Sequence, residues 1–211
     1  MAENTDLWQI ERDLTEQGIG IICGCDEAGA GPLAGPVYAA AVILPPYCQI
    51  EGLNDSKKLT EKKREALYEV ITQKAVCWAV ARMEAAEIDA TDILSARMKA
   101  MQQAMDALTV QPDIALIDGN RDKGRSAAIT TPHKLVVGGD GKSASIAAAS
   151  ILAKVSRDRF VAGELDERYP QYQFAKHKGY GTKLHYEMLD KFGPCPEHRR
   201  SFLKKWEEKR I

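Results

Sequence analysis

No stretch of this 211-residue chain approaches the roughly 20 consecutive apolar residues that a membrane-spanning helix needs. Its first residues, MAENTDLWQIERD, are acidic and lack the apolar centre of a secretory signal, so a cytoplasmic protein is expected. Cysteine is sparse and odd in number: Cys23, Cys25, Cys48, Cys77 and Cys195. No two are spaced as CxxC, which leaves a zinc ribbon or a redox pair without support and suits a reducing compartment. The four histidines, at 133, 177, 185 and 198, form no HExxH pattern. Internal repeats and low-complexity linkers are also missing.

What is there is a chain with 45% hydrophobic and 28% charged residues, the balance of a globular protein. The net charge of −1 conceals an asymmetry. Residues 1–140 hold 14 Lys and Arg against 21 Asp and Glu, a net −7, whereas residues 141–211 hold 15 against 9, a net +6. A basic C-terminal part beside an acidic body hints at a polyanionic partner, or is simply a solvated helical surface.

The periodicity predicts a helix over 5–17 and a strand over 20–26. PVYAAAVIL at 36–44 is apolar on both alternating faces, which predicts a strand covered on both sides. Thr60 is the expected N-cap of a helix over 61–73, and 74–83 reads as a third strand. Leu94, Met98, Met101, Met105 and Leu108 make one seam of a helix over 91–108, read as core packing. Strands follow at 113–118 and 134–137, and then a long helix from 143 to 168. Residues 169–181 read as loop, and helical pieces are expected near 182–191 and 197–209. The order indicates an α/β fold with a mixed sheet flanked by helices.

The stretch GIICGCDEAGAGPLAGPV, residues 20–37, is costly to build. Adjacent carboxylates resist burial, and glycine loses more backbone entropy on folding than any other residue. Three predicted strands run into acids: Asp26-Glu27, Asp118 and Asp140. Each alone is compatible with an ordinary turn acid. Brought together at neighbouring strand ends, four carboxylates require cations, and oxygen ligands suit Mg²⁺ or Mn²⁺. Two such ions can clamp a phosphodiester, activating water and stabilising the leaving oxygen.

Two nucleotide motifs fail on inspection. GGDGKS at 138–143 has Val136 where a phosphate loop needs its first glycine, although an anion role at the following helix N-terminus stays open. GAGPLAG at 29–35 leads into a strand rather than the helix that a dinucleotide fingerprint requires. His177, between lysines in AKHKGYGT, reads as a solvated loop residue or a phosphate contact. Tyr180 reads as a loop anchor or as a platform for a sugar or base.

Taken together, CDEAGAGPLAGPV at 25–37, LNDSKKL at 53–59, IDGN at 117–120, GDGKSASIAAASILAKVSRD at 139–158, HKGYGT at 177–182 and HRRSF at 198–202 resemble bacterial ribonuclease HII, a type 2 ribonuclease H. These pieces occur in the family's order over nearly the whole chain. The resemblance implies a ribonuclease H-like five-stranded sheet, with residues 1–168 as catalytic domain and 169–211 as a basic helical part packed on it. It implies hydrolysis of the RNA of RNA–DNA hybrids and incision 5′ of single ribonucleotides in duplex DNA, and a monomer is expected. Metal-binding, catalytic acids would be Asp26, Glu27, Asp118 and Asp140. Gly29, Ala30 and Gly31 would meet the 2′-hydroxyl through their backbone, Tyr180 would pack on the sugar, and Ser56 and Lys57 would contact phosphate. The family's Gly-Arg-Gly is here Gly29-Ala30-Gly31, which keeps the main-chain donors but loses a planar charged side chain. The rival readings are a hybrid-binding module without catalysis and a DNA-directed metal nuclease of the same fold.

Overall fold

The computed structural model describes residues 6–54 and 56–208. Its sheet grows from β2 (Val37–Ile43), whose seven residues are all buried, as a strand apolar on both faces demands. β2 pairs antiparallel with β1 (Ile22–Ala28) on one side and with β3 (Cys77–Met83) on the other. β4 (Ile114–Asp118) joins β1 in parallel and β5 (His133–Val136) joins β4, giving the order β3-β2-β1-β4-β5. The mixed five-stranded sheet expected from the sequence is therefore present.

Alternation along the strands divides the core into two layers. Cys23, Cys25, Ala39, Ala41 and Ile43 face α4 (Ile93–Asp106), where Met98, Met101 and Met105 are buried among them. The methionine seam is core, as its spacing indicates. Ala40 and Val42 face α5 (Ala144–Phe160), packed through Ala148, Ile151 and Leu152 together with Leu67 and Ile71 of α2 (Glu61–Lys74). The crossing of α5 over β1 is close. A Cβ on Gly24 would stand 2.0 Å from the carbonyl carbon of Ser145, so only glycine fits there.

Caps fix the helix starts. The Thr60 side chain accepts from the Lys63 N–H, as expected for α2, and Ser143 accepts from the Ile146 N–H to open α5. α5 continues through a π-helical turn, Val161–Leu165, into α6 (Asp166–Arg168), which accounts for the long helix expected to 168. Within the π-helical turn Val161 and Leu165 are buried, whereas Ala162 is only half-buried.

Several boundaries differ from expectation. The first helix, α1, is shorter (Gln9–Glu16), and β1 runs two residues past Asp26. The helix expected over 91–108 is α4, opened by the Asp92 side chain accepting from the Ser95 N–H, and a short helix that was not expected, α3 (Ala85–Ala90), precedes it. The segment 169–181 is not all loop: a 3₁₀ turn at Pro170–Tyr172 precedes α7 (Phe174–His177). α8 (Lys183–Phe192) and α9 (Arg200–Glu208) follow. The outer limits expected for the first and last helices, residues 5 and 209, lie outside the described residues. Leu189 of α8 and Leu203 of α9 pack on Leu33, and Tyr172, Phe174 and Cys195 pack on Ala34, Tyr38 and Leu165. The C-terminal helices thus sit directly on the glycine-rich segment that follows β1.

Candidate active site

The parallel register of β1 and β4 pairs Cys25 with Ile117, so the next positions, Asp26 and Asp118, are neighbours. Asp140 comes from a 3₁₀ turn, Gly139–Gly141, between β5 and α5. It is not at a strand end, contrary to expectation, and the two acids of β1 lie within the strand rather than beyond it. The turn is tied to β4 by the Gly139 N–H, which donates to Asp118 Oδ1 at 2.6 Å. One carboxylate oxygen from each of Asp26, Asp118 and Asp140 lies within 4.8 Å of the other two.

Burial, then the nearby Glu27 and Asp118 carboxylates, push the Asp26 carboxyl well above the usual range. An oxygen-only cluster with two of its three aspartates buried fits a hard divalent cation, which would restore the ionised form. Lys57 Nζ stands 3.4 Å from Asp140 Oδ2 at the rim, while Ser56 is buried and its carbonyl accepts from Arg64 at 2.9 Å.

Glu27 follows Asp26 in a strand, so its side chain leaves by the opposite face. There it meets Arg97 of α4, with Arg97 Nη2 donating to Glu27 Oε1 at 2.5 Å. Burial raises the Glu27 carboxyl and Arg97 opposes that rise. Its second oxygen, Oε2, is buried and has no protein partner. The structure thus joins three of the four expected acids and sets the fourth beside them on an arginine that the sequence reading did not single out.

The glycine segment is shaped by two more unforeseen residues. Arg157 of α5 and Arg199, just before α9, are both 0% exposed. Arg199 donates to the carbonyls of Gly29 at 2.7 Å, Ala30 at 3.0 Å and Gly35 at 2.8 Å. Arg157 donates to the carbonyls of Pro36 at 3.0 Å, Lys178 at 3.1 Å and Ala34 at 3.2 Å. Five N–H donors in a fixed fork let a guanidinium hold a stack of carbonyls better than any other side chain. Burial lowers both arginines, Arg199 to about 9. Gly29 has φ +91° and a Cβ there would meet Arg157 Nε at 2.0 Å, so glycine is required for two reasons. Ala30 is half-buried and Gly31 is exposed with open space around it.

The Tyr180 loop is stitched to the same segment by the Leu33 N–H, which donates to the Gly179 carbonyl at 2.8 Å. Tyr180 is 41% exposed, with Lys154 Nζ and Arg157 Cζ each 5.8 Å from its ring centroid. His177 is neither solvated nor open to phosphate. It is buried, its Nδ1 accepting from the Gly179 N–H at 3.2 Å and its Nε2 lying 2.9 Å from the Tyr172 carbonyl. The anion role left open at the N-terminus of α5 is also excluded. Glu11 of α1 occupies that place, accepting from the Ser145 N–H at 3.1 Å and from the hydroxyls of Ser143 and Ser145 at 2.6 Å.

One of the missed arginines left a signal. Ser150, Ala153, Arg157 and Val161 follow helical spacing and are all buried, so Arg157 extends an apolar stripe. Arg199 left none beyond the HRRSF match.

The family model described as Ribonuclease HII matches residues 23–207. A Ribonuclease HII of Idiomarina loihiensis is 58% identical over 182 residues, 86% of this chain and 95% of that protein. A Ribonuclease HII of Caldicellulosiruptor bescii is 48% identical over 204 residues, 97% of each. Among solved structures, the ribonuclease H2 of Pyrococcus horikoshii OT3 superposes with a TM-score of 0.72 at 25% identity, covering 90% of this chain and 98% of that one. The match spans strands, acids and C-terminal helices alike: this chain belongs to the ribonuclease HII family and is a metal-dependent ribonuclease H endonuclease.

Proposed function

We propose that this enzyme hydrolyses the RNA strand of RNA–DNA hybrids and incises duplex DNA on the 5′ side of a single embedded ribonucleotide, leaving 3′-hydroxyl and 5′-phosphate ends. The observation that carries the reading is the pairing of a convergent acid cluster with a braced glycine loop and an exposed tyrosine. Asp26, Asp118 and Asp140, joined by Glu27, would hold two Mg²⁺ or Mn²⁺. Such ions, when bound, supply a water of lowered pKa and charge to stabilise the leaving oxygen.

The chain's own work is placement. Asp118 and Asp140 are locked to each other through Gly139, so the cluster is set before substrate arrives. Arg199 draws the carbonyls of Gly29 and Ala30 inward. The main-chain N–H groups of Gly29, Ala30 and Gly31 are then the groups left to donate to a 2′-hydroxyl. Tyr180 offers a ring face to the same sugar, and Lys57 a cation near the phosphate. An all-DNA site would leave those donors unpaired, which disfavours it. We assign residues 1–168 to catalysis and 169–211 to supporting the sugar-reading loops and the duplex backbone.

The test uses a duplex with one ribonucleotide, an all-RNA hybrid and an all-DNA duplex, each with Mg²⁺, Mn²⁺ or EDTA. Cutting 5′ of the ribonucleotide, only with metal and not in all-DNA, is expected. Equal cutting of all-DNA overturns the reading. Ala30→Arg is expected to tighten substrate binding and to steepen its log–log salt dependence by about one unit, the contribution of one added phosphate contact. If instead the parent is inactive and Ala30→Arg restores cleavage, this chain's own glycine loop is not competent.

A further inference from the structure

Three of the four histidines meet beneath the Tyr180 loop, and their protonation is dictated by their neighbours. The Cys195 N–H can only donate, and it stands 2.9 Å from His198 Nδ1. That nitrogen is therefore an acceptor, and the ring proton sits on Nε2. His198 Nε2 lies 3.0 Å from His185 Nε2, so His185 accepts there and carries its proton on Nδ1. His185 Nδ1 lies 3.0 Å from the Tyr180 carbonyl and donates to it. His177, set by Gly179 and Tyr172, stacks on His185 at 4.3 Å and 19°. One main-chain N–H thus orders two imidazoles in series and ends on the residue that carries the exposed ring.

Tyr180 needs such a tie. It lies between Gly179 and Gly181, the two residues least able to hold a loop by themselves. Its carbonyl accepts from the Thr182 N–H at 2.8 Å as well as from His185.

We propose that the buried His198–His185 pair is a positioning device for Tyr180, working only with both rings neutral, His185 as the Nδ1–H tautomer and His198 as the Nε2–H tautomer. It rests on the reading that Tyr180 packs on the ribonucleotide sugar, and it assigns the placement of that ring to residues that touch neither substrate nor metal. Burial agrees with neutral rings, pushing His185 down to about 4 and His198 to about 3. The Cys195 thiol, 3.1 Å from His198 Nδ1, is pushed up to about 11 and remains protonated, so it too is a donor toward that nitrogen.

The test has a spectroscopic and a kinetic arm. Imidazole ¹⁵N spectra of the intact protein at pH 7 are expected to show His185 as Nδ1–H, the tautomer less common in water, and His198 as Nε2–H. An Nε2–H or doubly protonated His185 overturns the proposal, and this arm needs no variant to fold. In the kinetic arm, His185→Leu is expected to lower kcat/KM on the single-ribonucleotide duplex about fivefold to tenfold, the size of one hydrogen bond, through KM rather than kcat. His185→Asn, whose amide nitrogen can take the place of Nδ1, is expected to recover most of it. In a Tyr180→Ala background His185→Leu is expected to cost nothing more. An equal loss in that background overturns the proposal, because His185 would then act independently of Tyr180. A folded His185→Leu with unchanged KM while Tyr180→Ala is impaired also overturns it, leaving the sugar reading intact. An unimpaired Tyr180→Ala overturns the sugar reading itself.

Discussion

The acid cluster and the glycine–tyrosine loops lie side by side, yet they are held by opposite means. The acids stand on two strands and a turn, positioned by sheet register, and their mutual repulsion is what must be offset from outside. The loops have no register to hold them. They are fixed from within, by two buried guanidiniums on six carbonyls of the glycine and Tyr180 segments and by neutral histidines below. The scaffold therefore supplies geometry to the acids and charge to the loops. An external cation must complete the first region, whereas the second is complete as folded.

The comparison breaks most visibly at Asp118. Asp118→Asn keeps an oxygen to accept from the Gly139 N–H but removes a charge from the cluster. We expect cleavage to fall by roughly three orders of magnitude or more, several kcal/mol of lost transition-state stabilisation. Stability without metal should be unchanged or raised, because one repulsive charge is gone. Single-turnover cleavage and denaturant unfolding check both halves, and near-normal turnover would remove Asp118 from the site.

The opposite pattern is expected at Arg199. Arg199→Ala leaves the carbonyls of Gly29, Ala30 and Gly35 unpaired around a void, a loss of about 3–5 kcal/mol of stability. Arg199→Lys should lose less but still a large part, since an ammonium cannot span three carbonyls in a plane. Unfolding midpoints measure the ranking. A neutral Arg199→Ala would mean that the loop is held elsewhere.

The smallest expected effect is that of acid on a single histidine ring. In the unfolded chain His185 and His198 take up protons below about pH 6.5. In the fold they do so only near pH 4 and pH 3. The unfolded state therefore binds more protons across that window, and stability falls as pH falls, by roughly 1.4 kcal/mol per pH unit for each ring. Unfolding free energies of the parent and of His185→Asn between pH 6.5 and 4.5 isolate one ring. A parent slope no steeper than the variant's would refute the assignment. The first two changes separate metal-completed geometry from internally supplied charge, and the third tests whether the loop brace is neutral.

Much of the first region was legible in the chain because strands impose a period. The apolar run of β2, the methionine seam of α4 and the cap Thr60 follow from short-range rules, and the aspartates were marked by their places after apolar runs, although their convergence came only with the fold. Those rules did not extend to the second region. HRRSF looks like a solvated basic segment, and the charge asymmetry allowed the same reading of the whole C-terminal part, yet Arg157 and Arg199 are internal. The split of Asp26 and Glu27 to opposite faces was implicit in strand alternation. That Arg97 meets Glu27 was not, because the contact joins elements 70 residues apart.

The sequence alone therefore singled out the candidate residues, since acids, glycines and an aromatic at strand and loop positions carry their reasons locally. Tertiary structure decided how those residues are held. A buried charge is tolerable only where enough dipoles converge on it, and a histidine's proton goes where its neighbours send it. Both depend on groups that become neighbours only when the chain has folded.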